Sequence, residues 1–227
     1  MKIAALQVNV NSSCEPAADA SDADVFADEL THILLHQKAA FNSPVWFNVG
    51  VEAKPQCSAC FILEVEDTMQ SILDWYYTEG LIFKGGSGAG ISLSPLRSSK
   101  ETLSAGGHAS GPVSFMRGAD AIAGSIAAGG STRRAAKMVV LNADHPDVLQ
   151  FIRCKAEEEK KIRAFMAAGY DMSDLNSDAW KSIQYQMANN SVRVSDEFMR
   201  AVEADGLWQT RYVTSGEVAE EFKAREL

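Results

Sequence analysis

Residues 60–93 read CFILEVEDTMQSILDWYYTEGLIFKGGSGAGISL, and this stretch decides the fold class. Its apolar run at 60–65 predicts a buried strand, and residues 68–83 have the apolar spacing of a helix. Asp67 stands where an N-cap is expected, with Gln70 three residues later. A glycine-rich loop then leads into a second short strand, so the order strand, helix, strand predicts a parallel α/β unit.

The same alternation of strands and helices continues along the chain. The further predicted elements are a helix over 25–41, a structured loop over 41–50, a helix over 110–130, a basic loop and strand followed by a helix from about Pro146, a polar connection over 167–182, and a strand at 189 followed by a helix capped at Ser195. The helix over 110–130 is rich in small residues, so it can approach another helix closely. Strands that alternate with helices predict a parallel sheet or an α/β barrel.

Composition narrows the class of protein. The chain has 227 residues, of which 46% are hydrophobic and 22% charged, as in a soluble globular protein. A net charge of -9 argues against nonspecific nucleic-acid binding. No apolar run approaches the length of a membrane span, and the N-terminus lacks the pattern of a signal peptide. Four irregularly spaced cysteines do not form a secreted disulfide framework, so we expect a cytoplasmic protein.

Cys57 and Cys60 have a Cys-x-x-Cys spacing that several kinds of site share. Zinc needs four ligands, but Cys14 and Cys154 are isolated, and the helical pair His32 and His36 lacks the glutamate of a zinc protease. A thioredoxin-like pair opens a helix, whereas this pair enters a strand. A single working thiol, or a buried cysteine with only a packing role, remains open on these residues alone.

Two glycine-containing segments are candidates for anion binding. Residues 85–90, GGSGAG, follow neither the Rossmann order nor the Walker order, so a plain turn is as good an interpretation as a phosphate loop. Residues 129–137, GGSTRRAAK, place three cations beside glycines, which favours an anion-binding loop over a solvated basic turn.

Ordered blocks of residues resemble the catalytic subunit of ribonucleotide reductases, in particular the vitamin B12 (adenosylcobalamin)-dependent class II enzymes. The blocks are FADELTHILLHQKAAFNSPVWFNVG (26–50), SACFILEVEDTMQSILDWYYTEGLIFKGGSGAGISLSPLRSSKE (58–101), GPVSFMRGADA (111–121), GGSTRRAAKMVVLNADHPDVLQFI (129–152) and NNSVRVSDEFMRAV (189–202). The resemblance implies part of a ten-stranded α/β barrel, about the first of its two five-stranded halves. It also implies thiyl-radical reduction of ribonucleoside di- or triphosphates, with adenosylcobalamin as cofactor.

The resemblance also assigns residues. Cys60 is similar to one of two cysteines that reduce the substrate and form a disulfide, which makes Cys57 incidental. The implied substrate-binding positions are Ser43, Ala59, Cys60 and Gly88. The implied site for a deoxynucleoside triphosphate effector consists of Asp67, Thr68, Met69 and Arg97. The implied specificity loop contains Gly129, Gly130, Arg133 and Arg134, and the effector helix forms a homodimer contact in related members.

Departures from the family pattern set further expectations. No Asn-x-Cys-x-Glu sequence, which would carry the radical cysteine, occurs in the chain. We therefore expect residues 1–24 to be a poorly ordered lead-in and residues 25–227 to be a partial barrel that is inactive alone or complemented by a second fragment. The alternatives are a noncatalytic nucleotide-binding remnant and a fragment of a class I reductase large subunit. No residue in the sequence indicates a metal or cobalamin site.

Overall fold

The computed structural model describes residues 20–51, 55–127, 136–174 and 177–227. The chain divides into two compact units, Met1–Ala59 and Cys60–Leu227. The predicted specificity-loop residues Gly129, Gly130, Arg133 and Arg134 lie outside the described residues.

The described part of the first unit contains two helices, α1 (Ala20–Leu35) and α2 (Ser43–Asn48). Helix α1 begins before residue 25 and ends earlier than predicted, and Gln37 just beyond it has a positive φ of 53°. The segment 41–50, predicted as a loop, contains α2 instead because Pro44 favours the first helical turn. The Trp46 indole Nε1 donates to the carbonyl of Phe41 at 2.9 Å and fixes this turn.

The second unit contains the remaining elements. They are β1 (Cys60–Leu63), α3 (Met69–Lys84), β2 (Gly88–Ser92), α4 (Gly111–Ala127), β3 (Lys137–Asn142), α5 (Val148–Ala167), α6 (Asp178–Lys181), β4 (Ala188–Arg193), α7 (Asp196–Glu203), β5 (Leu207–Arg211), β6 (Val218–Lys223) and a final 3-10 turn (Ala224–Glu226). The short helix α6 falls in the segment predicted as a polar connection. The Ser195 hydroxyl accepts from the Phe198 N–H and caps α7, as predicted.

Four of the strands form one parallel sheet in the order β1-β2-β3-β4. Each strand pairs with the next in sequence order, with Cys60 opposite Gly88 and Ala89 opposite Lys137. The prediction of a parallel α/β sheet is therefore confirmed. Strands β5 and β6 form a separate antiparallel hairpin.

Helices cover one face of the parallel sheet. Ile91, Val139 and Leu141 point to that face and are buried against side chains from α3, α4 and α5. Residues at alternating positions point the other way. On β1 this leaves Ile62 95% exposed, and Phe61 and Leu63 on the other face are only half-buried, so the prediction of a buried strand was wrong for β1.

Helices α3 and α4 approach closely through glycine. The Tyr76 hydroxyl donates to the carbonyl of Phe115 at 2.6 Å, and burial raises the pKa of Tyr76 to about 12. A Cβ added at Gly118 would lie 2.8 Å from the Tyr76 hydroxyl oxygen. The small residues of α4 therefore allow the close helix contact that the sequence predicts.

Candidate functional site

Cys60 lies at the start of the parallel sheet. It is the first residue of β1, it is exposed, and its backbone is opposite Gly88 on β2. The next row across the sheet contains Ile62, Gly90 and Met138, on the face that the helices leave uncovered. Glycine at positions 88 and 90 leaves the neighbouring strand without side chains beside the thiol, and of the two Gly88 is buried and Gly90 half-buried.

The other predicted substrate-site residues belong to the first unit. Ser43 is the first residue of α2 and is exposed, and Ala59 is half-buried at the end of that unit. The Cys57 Sγ lies 3.7 Å from the carbonyl oxygen of Pro55.

Asp67 and Arg97, which the sequence assigns to one effector site, do lie together. The Arg97 Nε donates to Asp67 Oδ2 at 2.5 Å, and the Arg97 backbone N–H donates to Asp67 Oδ1 at 3.1 Å. Both side chains are partly exposed, Asp67 by 25% and Arg97 by 34%. The structure thus supplies a guanidinium held by a carboxylate at the start of α3.

Asp67 is not the N-cap of α3, and that prediction was wrong. Thr68 is the N-cap, since its hydroxyl accepts from the backbone N–H of Ser71 at 3.2 Å. The Asp67 carboxylate is turned instead toward Arg97, a residue 30 positions later that local sequence spacing cannot reveal. Met69 opens the helix and is largely exposed.

The loop that carries Arg97 is fastened on both sides of the arginine. Leu96 and Ser98 are fully buried. The His145 Nε2 donates to the carbonyl of Leu96 at 2.9 Å, while its Nδ1 accepts from the Asp147 backbone N–H at 3.0 Å. Burial lowers the pKa of His145, in agreement with this neutral tautomer.

Two buried carboxylates also hold the loop that carries Arg97 in place through hydrogen bonds. Glu101 accepts from the Ser98 N–H at 2.7 Å and from the Thr214 N–H and hydroxyl at 2.9 and 2.6 Å. Asp147 accepts from the Ser99 N–H at 2.7 Å. The backbone position of Arg97 is therefore fixed by groups from β3–α5 and from the β5–β6 turn.

A buried charge cluster lies on the helix side of the sheet, and sequence reasoning missed it. The Lys137 ammonium lies 2.6 Å from Glu79 Oε2, with the two side chains 0% and 2% exposed. Asp120 on α4 is also buried and accepts the backbone N–H groups of Gln186 and Met187 at 2.9 Å each. In the sequence, Glu79 interrupts the row of apolar residues on the buried face of α3. That charged residue on an apolar face was the sequence feature that could have indicated a buried ion pair.

No metal centre is apparent in the part of the chain that the structure describes, where no three His, Cys, Asp or Glu side chains converge. The His32 and His36 rings lie 4.2 Å apart, and the Lys38 Nζ lies 3.1 Å from the His32 Nε2. None of the helices within the described ranges is long and apolar enough to span a membrane.

Comparison with known proteins gives consistent matches. Residues 58–225 match the family described as "Ribonucleotide reductase, barrel domain". The chain is 62% identical over 210 residues to the vitamin B12-dependent ribonucleotide reductase of Streptomyces clavuligerus, covering 92% of this chain and 22% of that protein. It is 44% identical over 236 residues to the enzyme of the same name from Rhodopirellula baltica, covering 91% and 23%.

A more distant relative carries a similar name. The vitamin B12-dependent ribonucleoside-diphosphate reductase of Mycobacterium tuberculosis H37Rv is 33% identical over 203 residues, covering 89% of this chain and 25% of that protein. The chain thus spans about a fifth to a quarter of the length of these relatives. The family match spans the parallel sheet together with Cys60, Asp67 and Arg97. This chain belongs to the ribonucleotide reductase barrel-domain family.

Proposed function

We propose that the chain forms part of the catalytic barrel of a vitamin B12-dependent reductase that converts ribonucleotides to deoxyribonucleotides for DNA synthesis. One observation carries the proposal. Cys60, an exposed thiol at the first residue of β1, borders Gly88 on the uncovered face of a sheet that matches the reductase barrel family.

Cys60 acts in this proposal as one of two reducing thiols. The two thiols together supply two electrons and two protons. The 2′-hydroxyl of the ribose leaves as water, a hydrogen replaces it on carbon, and the two sulfurs join in a disulfide. A strand end suits this role because the backbone holds the thiol in place while its exposed side remains open to substrate and to the second thiol.

Substrate binding involves Ser43, Ala59 and Gly88 in the same proposal, with a ribonucleoside di- or triphosphate as the ligand. Gly88 contributes its backbone, since a residue without a side chain allows the sugar to lie against the strand. Ser43 supplies a hydroxyl that can donate to or accept from the nucleotide.

Effector binding takes place at the start of α3. Asp67, Thr68, Met69 and Arg97 form the site for a deoxynucleoside triphosphate, and Arg97 supplies charge-assisted hydrogen bonds to phosphate. The support for this assignment is the contact between Asp67 and Arg97 beside the first turn of the helix. Gly129, Gly130, Arg133 and Arg134 form the loop through which the effector sets substrate preference.

Adenosylcobalamin is the cofactor that we propose for the whole protein, and it would supply the radical chemistry. The names of the relatives support it. The described residues contain no group of side chains that we can assign to the cofactor, and no step above depends on such a group.

The proposed partner is a second copy of the chain, in the cytoplasm where nucleotides and reduced thiols are available. Helix α3 presents four apolar side chains at intervals of four residues, each more than half exposed: Met69, Leu73, Tyr77 and Leu81. Such a stripe is self-complementary across a twofold axis, and burying it removes apolar surface from water.

A chimera tests the proposed activity. The 210-residue segment of the Streptomyces clavuligerus enzyme that aligns with this chain is replaced by the chain's own residues. Supplied with adenosylcobalamin, dithiothreitol and a ribonucleotide, the chimera should form deoxyribonucleotide. Cys60→Ser should reduce product formation to background because one of the two reducing sulfurs is then missing.

Cys57→Ser is the matched control, because it removes a cysteine three residues away that has no assigned role. The control should retain the activity of the parent chimera. Equal activity of the parent and Cys60→Ser chimeras would contradict the proposed role of Cys60. A folded chimera with no activity would contradict the proposed function itself.

A further inference from the structure

Two histidines lie side by side at the carboxyl end of α1. His32 is in the last turn of the helix, and His36 follows its final residue, Leu35. The His36 backbone N–H donates to the His32 carbonyl at 3.1 Å, so the two residues are one helical turn apart and share a side of the helix. Their ring centroids are 4.2 Å apart with the planes tilted by 49°, and both residues are exposed.

The separation of the two rings suits a metal ion. Ions such as Zn²⁺ bond to imidazole nitrogen at about 2.0–2.1 Å, so two nitrogens bound to one ion lie about 3–4 Å apart. A centroid separation of 4.2 Å is compatible with that spacing. The carboxyl end of a helix also carries partial negative charge on its last carbonyl groups, which favours a cation there.

A cation from the chain itself already contacts one of the ring nitrogens. The Lys38 Nζ lies 3.1 Å from the His32 Nε2. An ammonium group donates hydrogen bonds and accepts none, so the Nε2 is the nitrogen with the lone pair and the Nδ1 carries the hydrogen. The lone pair that a metal ion needs is therefore present on His32, and it faces a position where the protein holds a positive charge.

The turn after α1 places Lys38 beside the ring. Gln37 has a φ of 53°, in the left-handed region, and reverses the chain direction at the end of the helix. The N–H groups of Gln37 and Lys38 donate to the carbonyls of Leu34 and Ile33 at 3.2 and 3.0 Å, which is the pattern of a Schellman motif. Backbone hydrogen bonds thus define the turn, and the lysine side chain can leave the ring without breaking them.

We propose that His32 and His36 form a binding site for a divalent transition-metal ion, such as Zn²⁺ or Ni²⁺, and that Lys38 competes with the ion for the His32 ring. The site uses two imidazole nitrogens and leaves the remaining coordination positions to water. Imidazole suits these ions, whereas Mg²⁺ and Ca²⁺ take oxygen ligands. Neither histidine belongs to the nucleotide sites assigned above, so the metal site does not depend on the proposed reductase function.

Calorimetric titration of the chain with nickel chloride tests the site. Thiolates also bind transition metals, so Cys14, Cys57 and Cys60 are first changed to serine, and this triple variant serves as the parent. The parent should bind Ni²⁺ and should give no signal with magnesium chloride. His32→Ala and His36→Ala should each weaken Ni²⁺ binding by at least about tenfold, because a single imidazole lacks the high local concentration of a second one.

Lys38→Met should strengthen Ni²⁺ binding by about three- to tenfold. The substitution removes a positive charge and a hydrogen-bond donor from the His32 Nε2 and leaves the backbone of the turn in place. A gain in affinity cannot result from damage to the fold. This variant therefore separates competition for the ring from a purely structural role of the lysine.

Two further variants are matched controls. His108→Ala removes an exposed histidine from the loop before α4 and should bind Ni²⁺ as the parent does. Thr31→His combined with His36→Ala keeps two histidines on α1, but they are adjacent in sequence and do not face each other. It should bind as weakly as His36→Ala. Thermal unfolding of each variant establishes that it is folded under the conditions of the titration.

Either of two results would overturn the assignment. A folded parent that binds Ni²⁺ no more tightly than His32→Ala and His36→Ala would show that the pair does not chelate an ion. A Lys38→Met variant that binds no more tightly than the parent would show that the lysine does not compete for the ring. Neither result bears on the Cys60 chimera, which tests the reductase function.

Discussion

Lys137 and Glu79 form an ion pair inside the protein, with 2.6 Å between the ammonium nitrogen and Oε2 and with neither side chain more than 2% exposed. Burial lowers the pKa of Lys137 and raises that of Glu79, while their mutual attraction opposes both changes. The pair joins the first residue of β3 to the third turn of α3. It therefore fixes α3 against β3, which is separated by β2 from the strand that carries Cys60.

Removing one partner of this pair should destabilise the fold more than removing both. Lys137→Met leaves Glu79 buried without its cation, and we expect a loss of about 3–5 kcal/mol in the free energy of unfolding. The double variant Lys137→Met with Glu79→Leu replaces the pair by apolar side chains and should lose much less. Urea unfolding of the three proteins measures both effects, and a double variant no more stable than the single one would contradict this account.

Glu101 should make the fold sensitive to acid. Burial alone would raise the pKa of Glu101, but its hydrogen bonds from Thr214 and Ser98 outweigh burial and bring the pKa to about 2. Because the pKa is lower in the folded than in the unfolded chain, this stabilisation is complete above about pH 4.5 and is lost as the pH falls toward 2. The full loss amounts to about 3 kcal/mol.

Glu101→Gln tests this dependence. The amide cannot titrate, so the variant should be less stable than the parent at pH 6, and the difference should shrink between pH 4.5 and pH 2.5. Urea unfolding at four or five pH values across that interval measures the slope. A parent and variant that differ by the same amount at every pH would show that Glu101 is not responsible.

Gly111 should not tolerate a side chain. Its φ is +73°, and an added Cβ would lie 2.6 Å from Asp147 Oδ2 and 2.8 Å from the backbone nitrogen of Ser99. Gly111→Ala should therefore combine backbone strain with a clash against the hydrogen bond that fastens the Arg97 loop. We expect a loss of more than about 3 kcal/mol in the free energy of unfolding.

Gly169→Ala is the control for backbone strain alone, because Gly169 has a φ of +88° and no atom within 4 Å of the added Cβ. It should cost about 1–2 kcal/mol. The difference between the two alanine variants then measures the clash. Equal losses would show that the contact with Asp147 and Ser99 relaxes without cost.

The apolar stripe of α3 should determine the oligomeric state. Tyr77→Glu places a charge in the centre of the stripe and, in a twofold contact, brings two like charges close together. We expect the dimer dissociation constant to rise by at least about tenfold. Sedimentation over a range of concentrations measures it, with Tyr170→Glu, an exposed tyrosine beyond α5, as the control. A parent that stays monomeric at high concentration would contradict the proposed interface.

Sequence patterns predicted the parallel sheet, the Ser195 cap and the close packing of α4, because period, capping and small side chains act locally. They failed where a distant residue decides the outcome. Asp67 has the spacing of an N-cap, yet Arg97, 30 residues away, takes its carboxylate. Glu79 is paired with Lys137, 58 residues away, and no local sequence pattern links the two residues.

Similarity to a family predicted one long-range contact that residue spacing could not. Asp67 and Arg97 were assigned to the effector site together, and the structure brings them into contact. The hydrogen bond between the two side chains could not be predicted, because it depends on the direction in which a guanidinium points. Side-chain direction is set by packing in three dimensions and leaves no mark in residue spacing.

The loop around Arg97 acquires its stabilising contacts late during synthesis of the chain. Asp67 precedes Arg97 by 30 residues, but the groups that fasten the loop follow it: the contact from His145 to Leu96 spans 49 residues, and that from Thr214 to Glu101 spans 113. Domains fold as their segments emerge during synthesis. All four strands of the parallel sheet end by Arg193, so they leave the ribosome before Thr214 does. The loop around Arg97 thus gains its contact with Thr214 only in the last stage of translation of this segment.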